Sequence, residues 1–395
     1  MKVLSVGNMY PPHHLGGYEL MWQAGVEALR SSGHEVRVLT TDYRSPGRGP
    51  GTPDDPEVRR DLRWYWRGHE FPHLSLRERL ALERHNARVL ERELDEVRPH
   101  VVSWWAMGGM SLGLIERVRG SGTPAVGFVH DEWMLYAPKV DAWQRAVARL
   151  GPAGPPVASL AGAPAARDLG SAARWVFVSE TVRARAAKRW DLEDTGVAHS
   201  GVDRSLFGPG PERTEWKGRL LYVGRIDERK GIEIAVRALE HLPDATLTVV
   251  GSGDDAYLER LRAVVRDTGV EDRVDFRDGA PREELPGIYA AADAVVFPVL
   301  WEEPWGLVPL EAMAVGVPVA ATGRGGSGEF LRDGENCVLY APAEDAAALA
   351  RAVRRLAGDP ALRERLRTEG ERTAARHDQA SFTRAVVEEH ERAVG

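Results

Sequence analysis

The chain has 395 residues, 43% of them hydrophobic and 28% charged, with a formal net charge of −7. This composition is globular, the length exceeds one ordinary core, and the acidic balance excludes a nucleic-acid binder, whose affinity rests on cationic surface. The single cysteine, Cys337, excludes an internal disulfide and fits a reducing, cytoplasmic compartment.

The chain opens with an apolar strand, KVLSVG over 2–7, then a loop, a helix over 18–30 and a second strand, EVRVLTT over 35–41. Leu20, Ala24 and Leu29 recur at helical spacing, and Gly33 stops the helix. This βαβ order predicts a parallel sheet with right-handed crossovers. A long mixed-charge helix over 75–97 and strands at 100–105, 124–130 and 174–179 continue it, with Ser179 placed to cap the next helix. The pattern then restarts. VLSVGNMYPPHHLGG (3–17) and LLYVGRIDERKG (220–231) both run apolar strand, Val-Gly, polar loop and glycine. Strands at 246–253, 273–278, 293–299 and 317–322 follow, so a second doubly wound domain is expected, with the junction near 203–215. SPGRGPGTPDDP (45–56) reads as a mobile loop, and GPAGPPVASLAGAPAARD (151–168) as a lid or solvated insertion. The N-terminal run is a strand, not a signal peptide, and no run of about 18 apolar residues predicts a membrane span. A peripheral membrane contact stays compatible with the sequence.

Ligands of open α/β sheets bind beyond the carboxyl ends of the strands, so the loops after the strands carry the candidates. Gly16-Gly17 precede the first helix. They suit either backbone approach to an anion or a turn with unusual dihedrals. GRIDERKG (224–231) offers Arg225, Arg229 and Lys230, and Lys230 is one of only five lysines. A guanidinium and an ammonium together suit a diphosphate; Asp227 and Glu228 could instead neutralise a solvated loop. His130 ends an apolar strand and suits a substrate hydroxyl, a phosphate oxygen or a structural hydrogen bond. The histidines of HEFPH (69–73) are separated by Pro72, which spoils a metal face. No two aspartates stand two residues apart, so no Asp-x-Asp metal pair is available and no metal is expected. Leaving-group charge would fall to Arg225, Lys230 and helix N-termini.

WEEPWGLVPLEAMAVGVPVA (301–320) places Glu303 and Glu311 eight positions apart in an apolar strand-to-helix junction. Glu303 stands at the helix entrance, where it could merely complement the dipole. Glu311, between Leu310 and Ala312, needs solvent or hydroxyl partners, because an unpaired buried carboxylate is costly. Vicinal hydroxyls of a sugar or ribose fit. Gly306 and Leu307 offer N–H groups at the helix start. Nine of the twelve tryptophans precede residue 205. Trp22, Trp104, Trp105 and Trp133 suit a core, whereas Trp64 and Trp66 suit an exposed stacking surface.

The segments YPPHHLGGYEL, VHDEW, VFVSE, HSGVD, YVGRIDERKG, VVGSGD, EEPWGLVPLEAMAVGVPVAAT and DGENCVLYAPAED together resemble the retaining GT-B glycosyltransferases of the large family-four group, over nearly the whole chain. The resemblance implies an α/β GT-B fold: two doubly wound Rossmann-like domains facing across a cleft. It implies an acceptor domain over 1–205, a donor domain over 206–378 and a final helix over 379–395 crossing back to the first domain. By the same resemblance Glu303 binds hydroxyls of the transferred sugar and Glu311 holds the ribose. Arg225 and Lys230 hold the diphosphate, and His130 contacts the sugar near its reacting carbon. Gly16 and Gly17 lie by the donor phosphate or the acceptor. Gly224, Gly251, Gly306 and Leu307 join the donor site, and Arg277 and Ala280 approach the base through backbone. Such enzymes retain anomeric configuration, with the leaving phosphate proposed as base, so the glutamates position hydroxyls and do no proton chemistry. Trp305 and Pro304 depart from the family pattern, and the larger ring is expected to narrow the donor site.

The sequence therefore predicts a metal-independent retaining transferase with no cofactor, whose partners are a nucleotide-diphosphate sugar and a hydroxyl-bearing acceptor. A soluble small-molecule acceptor is favoured, because helix 75–97 interleaves Glu83, Glu91, Glu93 and Asp95 with its arginines instead of presenting a basic surface. Polysaccharide or glycolipid synthesis is the alternative. A sugar-nucleotide epimerase fits the motifs less well, a non-catalytic partner subunit is opposed by the intact charged residues, and a dehydrogenase lacks its glycine fingerprint.

Overall fold

The computed structural model describes residues 1–45, 55–66, 70–211 and 215–395. Most of the loop expected at 45–56, His69 of the 69–73 pair and part of the expected junction lie outside the described residues. The chain divides into two compact units, Met1–His199 with Phe382–Gly395, and Ser200–Ser381.

The first unit is built on seven parallel strands: β1 (Lys2–Val6), β2 (Glu35–Thr41), β3 (Val58–Leu62), β4 (Val101–Trp104), β5 (Ala125–Val129), β6 (Arg174–Phe177) and β7 (Thr195–Val197). Their order is β3-β2-β1-β4-β5-β6-β7. The second unit repeats the scheme with β8 (Arg219–Val223), β9 (Thr246–Val250), β10 (Val274–Arg277), β11 (Ala294–Phe297), β12 (Val319–Ala321) and β13 (Val338–Leu339), in the order β10-β9-β8-β11-β12-β13. Both sheets reverse direction beside their first strand, at β1/β4 and at β8/β11. That is the topological switch point of a doubly wound sheet, where ligands bind. Strands β4, β6 and β11 are buried along their whole length, as strands covered on both faces of a parallel sheet are.

The helix Gln379–Val394 contributes Phe382 and Val386 to the core of the first unit, where they join Val3, Trp22, Val26, Trp105, Phe128 and Val176. Each such buried side chain contributes about 1.5–3 kcal/mol. Glu389 of the same helix pairs with Arg174 of β6. In the second unit the segments at 200–203 and 377–379 run side by side, with Val202 bridged to Asp378. A Cβ on Gly201 would fall 2.0 Å from the Asp378 carbonyl oxygen, so only glycine permits that approach.

Strands β3, β7 and β13 were not anticipated. The segment 151–168 is not a plain loop: it folds into a 3₁₀ turn, Gly151–Ala153, and a helix, Gly154–Leu160. Ala158, Ala163 and Ala165 pack with Trp143 and Val147, which the alanine-rich composition concealed. Ser179 caps the helix Glu180–Ala187, accepting from the Val182 N–H.

Candidate functional site

In the second unit the loops after β8, β9 and β11 lock together through glycines. A Cβ on Gly251 would lie 1.8 Å from the Gly224 carbonyl oxygen, and one on Gly231 would lie 1.9 Å from that of Pro298. The Ile226 N–H donates to the Ser252 carbonyl at 2.9 Å and the Leu300 N–H to that of Arg229 at 2.8 Å. The β8 loop is thereby fixed against the residues leading to Glu303.

This packing separates the three cations of the loop. Arg229, exposed, pairs with Asp227 at 2.7 Å, and that hydrogen bond lowers the Asp227 carboxyl to about 2. Arg229 thus takes the neutralised-loop role. Lys230 instead places Nζ 2.7 Å from Glu303 Oε2. Arg225 is exposed, and its carbonyl accepts the Tyr222 hydroxyl at 2.7 Å. Glu303 is itself held in place. Its Oε2 also accepts the Trp301 indole N–H at 2.7 Å, and its carbonyl accepts the Gly326 N–H at 2.7 Å. Gly325 lies so close that a Cβ would meet the Glu303 carbonyl oxygen at 2.4 Å.

Immediately beyond, Gly306, at φ +119°, caps the helix Leu307–Val315 without any side-chain cap. Its first N–H groups and the dipole favour an anion there. Glu311 is buried in the second turn and is satisfied within the unit. Tyr289 donates to Oε2 at 2.8 Å and Arg282 to Oε1 at 3.2 Å. Burial raises its carboxyl above the ordinary value, against the opposing pull of Arg282. Glu311, expected to need solvent or hydroxyl partners, has one such hydroxyl within the unit: Tyr289, with Arg282, serves it and leaves two of its roughly four lone-pair sites. Arg277 is exposed and pairs with Asp275 at 2.6 Å, while its carbonyl accepts the Gly251 N–H at 3.1 Å. Ala280 is half-buried on the same loop. The structure thus brings Gly224, Lys230, Gly251, Glu303, Gly306 and Leu307 to the loops around the β8/β11 switch point. Arg277 and Ala280 follow β10 at the edge of the sheet.

In the first unit, Gly16 caps the helix Gly17–Ser31 at φ −162°, an extended conformation open to any residue, and its N–H donates to Glu19 Oε2 at 3.0 Å. The unusual-dihedral reading of Gly16 is therefore excluded. Glu19, unremarked in the sequence, supplies a carboxylate at that helix start. His130 follows β5. Its ring stacks on Tyr18 at 4.7 Å and meets Phe382 edge-on at 5.3 Å. Burial pushes the imidazole down to about 3, so it is neutral near pH 7. Among the described residues no group of three or more His, Cys, Asp or Glu is placed to hold a metal ion, and no helix is long and apolar enough to cross a membrane.

The family model described as Glycosyltransferase Family 4 matches residues 15–206, and the model described as Glycosyl transferases group 1 matches residues 211–373. The chain belongs to the family-four, group 1 glycosyltransferases. It is 36% identical over 205 residues to a GDP-mannose-dependent alpha-(1-6)-phosphatidylinositol monomannoside mannosyltransferase of Mycolicibacterium smegmatis, a match covering 47% of this chain and 53% of that one. The match thus spans about half the length of that relative. A glycogen synthase of Mycobacterium tuberculosis is 29% identical over 410 residues, covering 92% of this chain and 88% of the other. Sucrose-phosphate synthase from Thermosynechococcus elongatus shares the fold with a TM-score of 0.74, at 22% identity, over 99% of this chain and 98% of that chain.

Two aromatic expectations for this glycosyltransferase are corrected. Trp305 does not narrow a ligand site. It is 3% exposed, donates to the Ser200 carbonyl at 2.8 Å and packs on Phe330 and His377. Trp64 is not an exposed platform: it is 6% exposed and donates to the Gly108 carbonyl at 2.9 Å, with the half-buried Trp66 tilted against it at 4.7 Å. Trp22, Trp104, Trp105 and Trp133 are core residues. Trp301, Arg282, Tyr289 and Glu19 escaped the sequence reading. Only Trp301 left a signal, by adjoining the acidic pair.

Proposed function

We propose that the protein is a retaining, metal-independent glycosyltransferase that moves a sugar from a nucleotide-diphosphate sugar to a hydroxyl of a soluble small-molecule acceptor. The observation that carries this is the pairing of Lys230 with Glu303 beside the uncapped helix start at Gly306. Lys230, Arg225 and the helix N-terminus supply positive potential for a diphosphate, and Glu303 supplies an acceptor for sugar hydroxyls one side chain away. Glu311, held by Tyr289 and Arg282, keeps lone pairs for a ribose. The unit Ser200–Ser381 is then the donor domain, and the unit containing Met1–His199 takes the acceptor. His130 serves as a neutral imidazole that donates or accepts a hydrogen bond. Neither glutamate is asked to move a proton; the leaving phosphate takes that of the acceptor hydroxyl.

A glycan or glycolipid acceptor is the second reading, supported by the relatives that extend glycogen or mannosylate a phosphatidylinositol glycoside. The test is turnover of nucleotide sugars with free polyols and glycosides, with oligosaccharides and with lipid glycosides, each with and without a chelator. The reading expects transfer to a free small molecule, undiminished by the chelator, with the product anomer matching the donor by proton NMR. An inverted product, or activity abolished by the chelator, contradicts it.

A further inference from the structure

Trp301 touches three groups of the site at once. Its Nε1 donates to Glu303 Oε2 at 2.7 Å, the same oxygen that receives Lys230 Nζ at 2.7 Å. Its ring lies under the Arg229 guanidinium at 4.5 Å and the Lys230 ammonium at 5.3 Å. The backbone beside it is pinned, because the Leu300 N–H donates to the Arg229 carbonyl.

The ion pair creates a conflict that this indole resolves. In the donor reading above, on which this inference rests, Lys230 serves the diphosphate and Glu303 serves the sugar. In the free protein each of them is engaged by the other. As Lys230 moves toward phosphate oxygens its hold on Oε2 weakens, and a flexible carboxylate left with no donor would sample several rotamers. The indole N–H belongs to a rigid ring, gains nothing from phosphate elsewhere and stays on Oε2. We propose that Trp301 is a positioning residue that keeps Glu303 oriented while Lys230 is handed to the donor, leaving Oε1 to receive the sugar hydroxyl. The face of the same ring supports the Lys230 ammonium along its path by cation–π attraction.

The test is Trp301→Phe, which keeps a ring under both cations and removes only the N–H, combined with Glu303→Ala and the double variant. UDP, GDP, dTDP and ADP are titrated by calorimetry, and turnover is measured with the sugar conjugates of whichever binds. The proposal expects Trp301→Phe to leave nucleoside-diphosphate affinity within about twofold, which also reports an intact fold. It expects kcat/KM for the nucleotide sugar to fall about tenfold or more, the effect of losing one hydrogen bond to a charged group. In the Glu303→Ala background the same change costs less than about twofold, because the oxygen that accepts the indole N–H is gone. An equal loss in both backgrounds, or wild-type kinetics in Trp301→Phe, overturns the proposal alone. Absence of binding by the wild type to all four nucleotides overturns the donor reading, and the proposal with it.

Discussion

Lys230 Nζ and Glu303 Oε2 lie 2.7 Å apart although they are 73 positions apart in the chain. The contact exists because the β8 and β11 loops are adjacent at a switch point, and glycines let them close. Lys230→Ala removes the point charge without opening a core, since the side chain is partly exposed. It is expected to lower kcat/KM at least about a hundredfold, in line with the loss of one oriented electrostatic group, with an unchanged circular dichroism spectrum. Initial rates alongside the spectrum check this; a loss below about fivefold would remove Lys230 from the diphosphate.

Glycine roles separate two positions. Gly251→Ala drives a methyl group into the Gly224 carbonyl and must spread the β8 and β9 loops, so both stability and turnover fall. Gly16→Ala meets nothing nearer than 3.8 Å at an extended φ, and the Gly16 N–H is retained. Stability is expected to change by less than about 1 kcal/mol. Urea unfolding of the two variants, side by side, measures the contrast.

The first unit carries opposing titrations. Glu83 and Asp141 are both buried; the Tyr65 hydroxyl donates to Glu83 at 2.7 Å, and Asp141 accepts the N–H groups of Leu112, Trp143 and Gln144. Burial first, then the Asp141 charge, raises the Glu83 carboxyl. A raised acid gives stability that is complete below its ordinary value and is lost as pH climbs to the raised one. His130 and His390 are pushed by burial to about 3 and about 4, from 6.5. Their contribution is complete above 6.5 and is lost as pH falls toward those values. Stability is expected to fall on both sides of a mildly acidic maximum, and Glu83→Gln to flatten the alkaline limb while steepening the acidic one. Urea midpoints between about pH 5 and about pH 9 read this out; an unchanged alkaline limb in Glu83→Gln contradicts the assignment.

Trp305→Phe removes the indole N–H that donates to the Ser200 carbonyl and is expected to destabilise by about 1–3 kcal/mol. Preference among nucleotide sugars is expected to stay within about twofold, because the ring is enclosed by Phe330 and His377. Competition between two donors, scored as a ratio of kcat/KM values, decides it.

Much of the sheet framework was legible because parallel strands such as RLLYV and AVVF each carry four apolar residues in a row. β3, VRRDL, escaped because Arg59, Arg60 and Asp61 interrupt the run on an edge strand. Lys230, Glu303 and Gly306 were legible as chemistry at strand ends. The partners of Glu311 were not: Tyr289 and Arg282 stand 22 and 29 positions away, and nothing local marks them. The tryptophan errors share one cause. An indole finds its carbonyl through tertiary structure, Ser200 for Trp305 and Gly108 for Trp64, and neither partner is marked in the sequence around the ring.

The central claim is that the Lys230–Glu303 loops receive a nucleotide-diphosphate sugar. Calorimetric titration of the wild type and of Lys230→Ala with UDP, GDP, dTDP and ADP tests it most directly. The account predicts saturable binding of at least one nucleotide by the wild type, weakened at least about tenfold in the variant. No binding of any of the four, or equal affinity in both proteins, would contradict it.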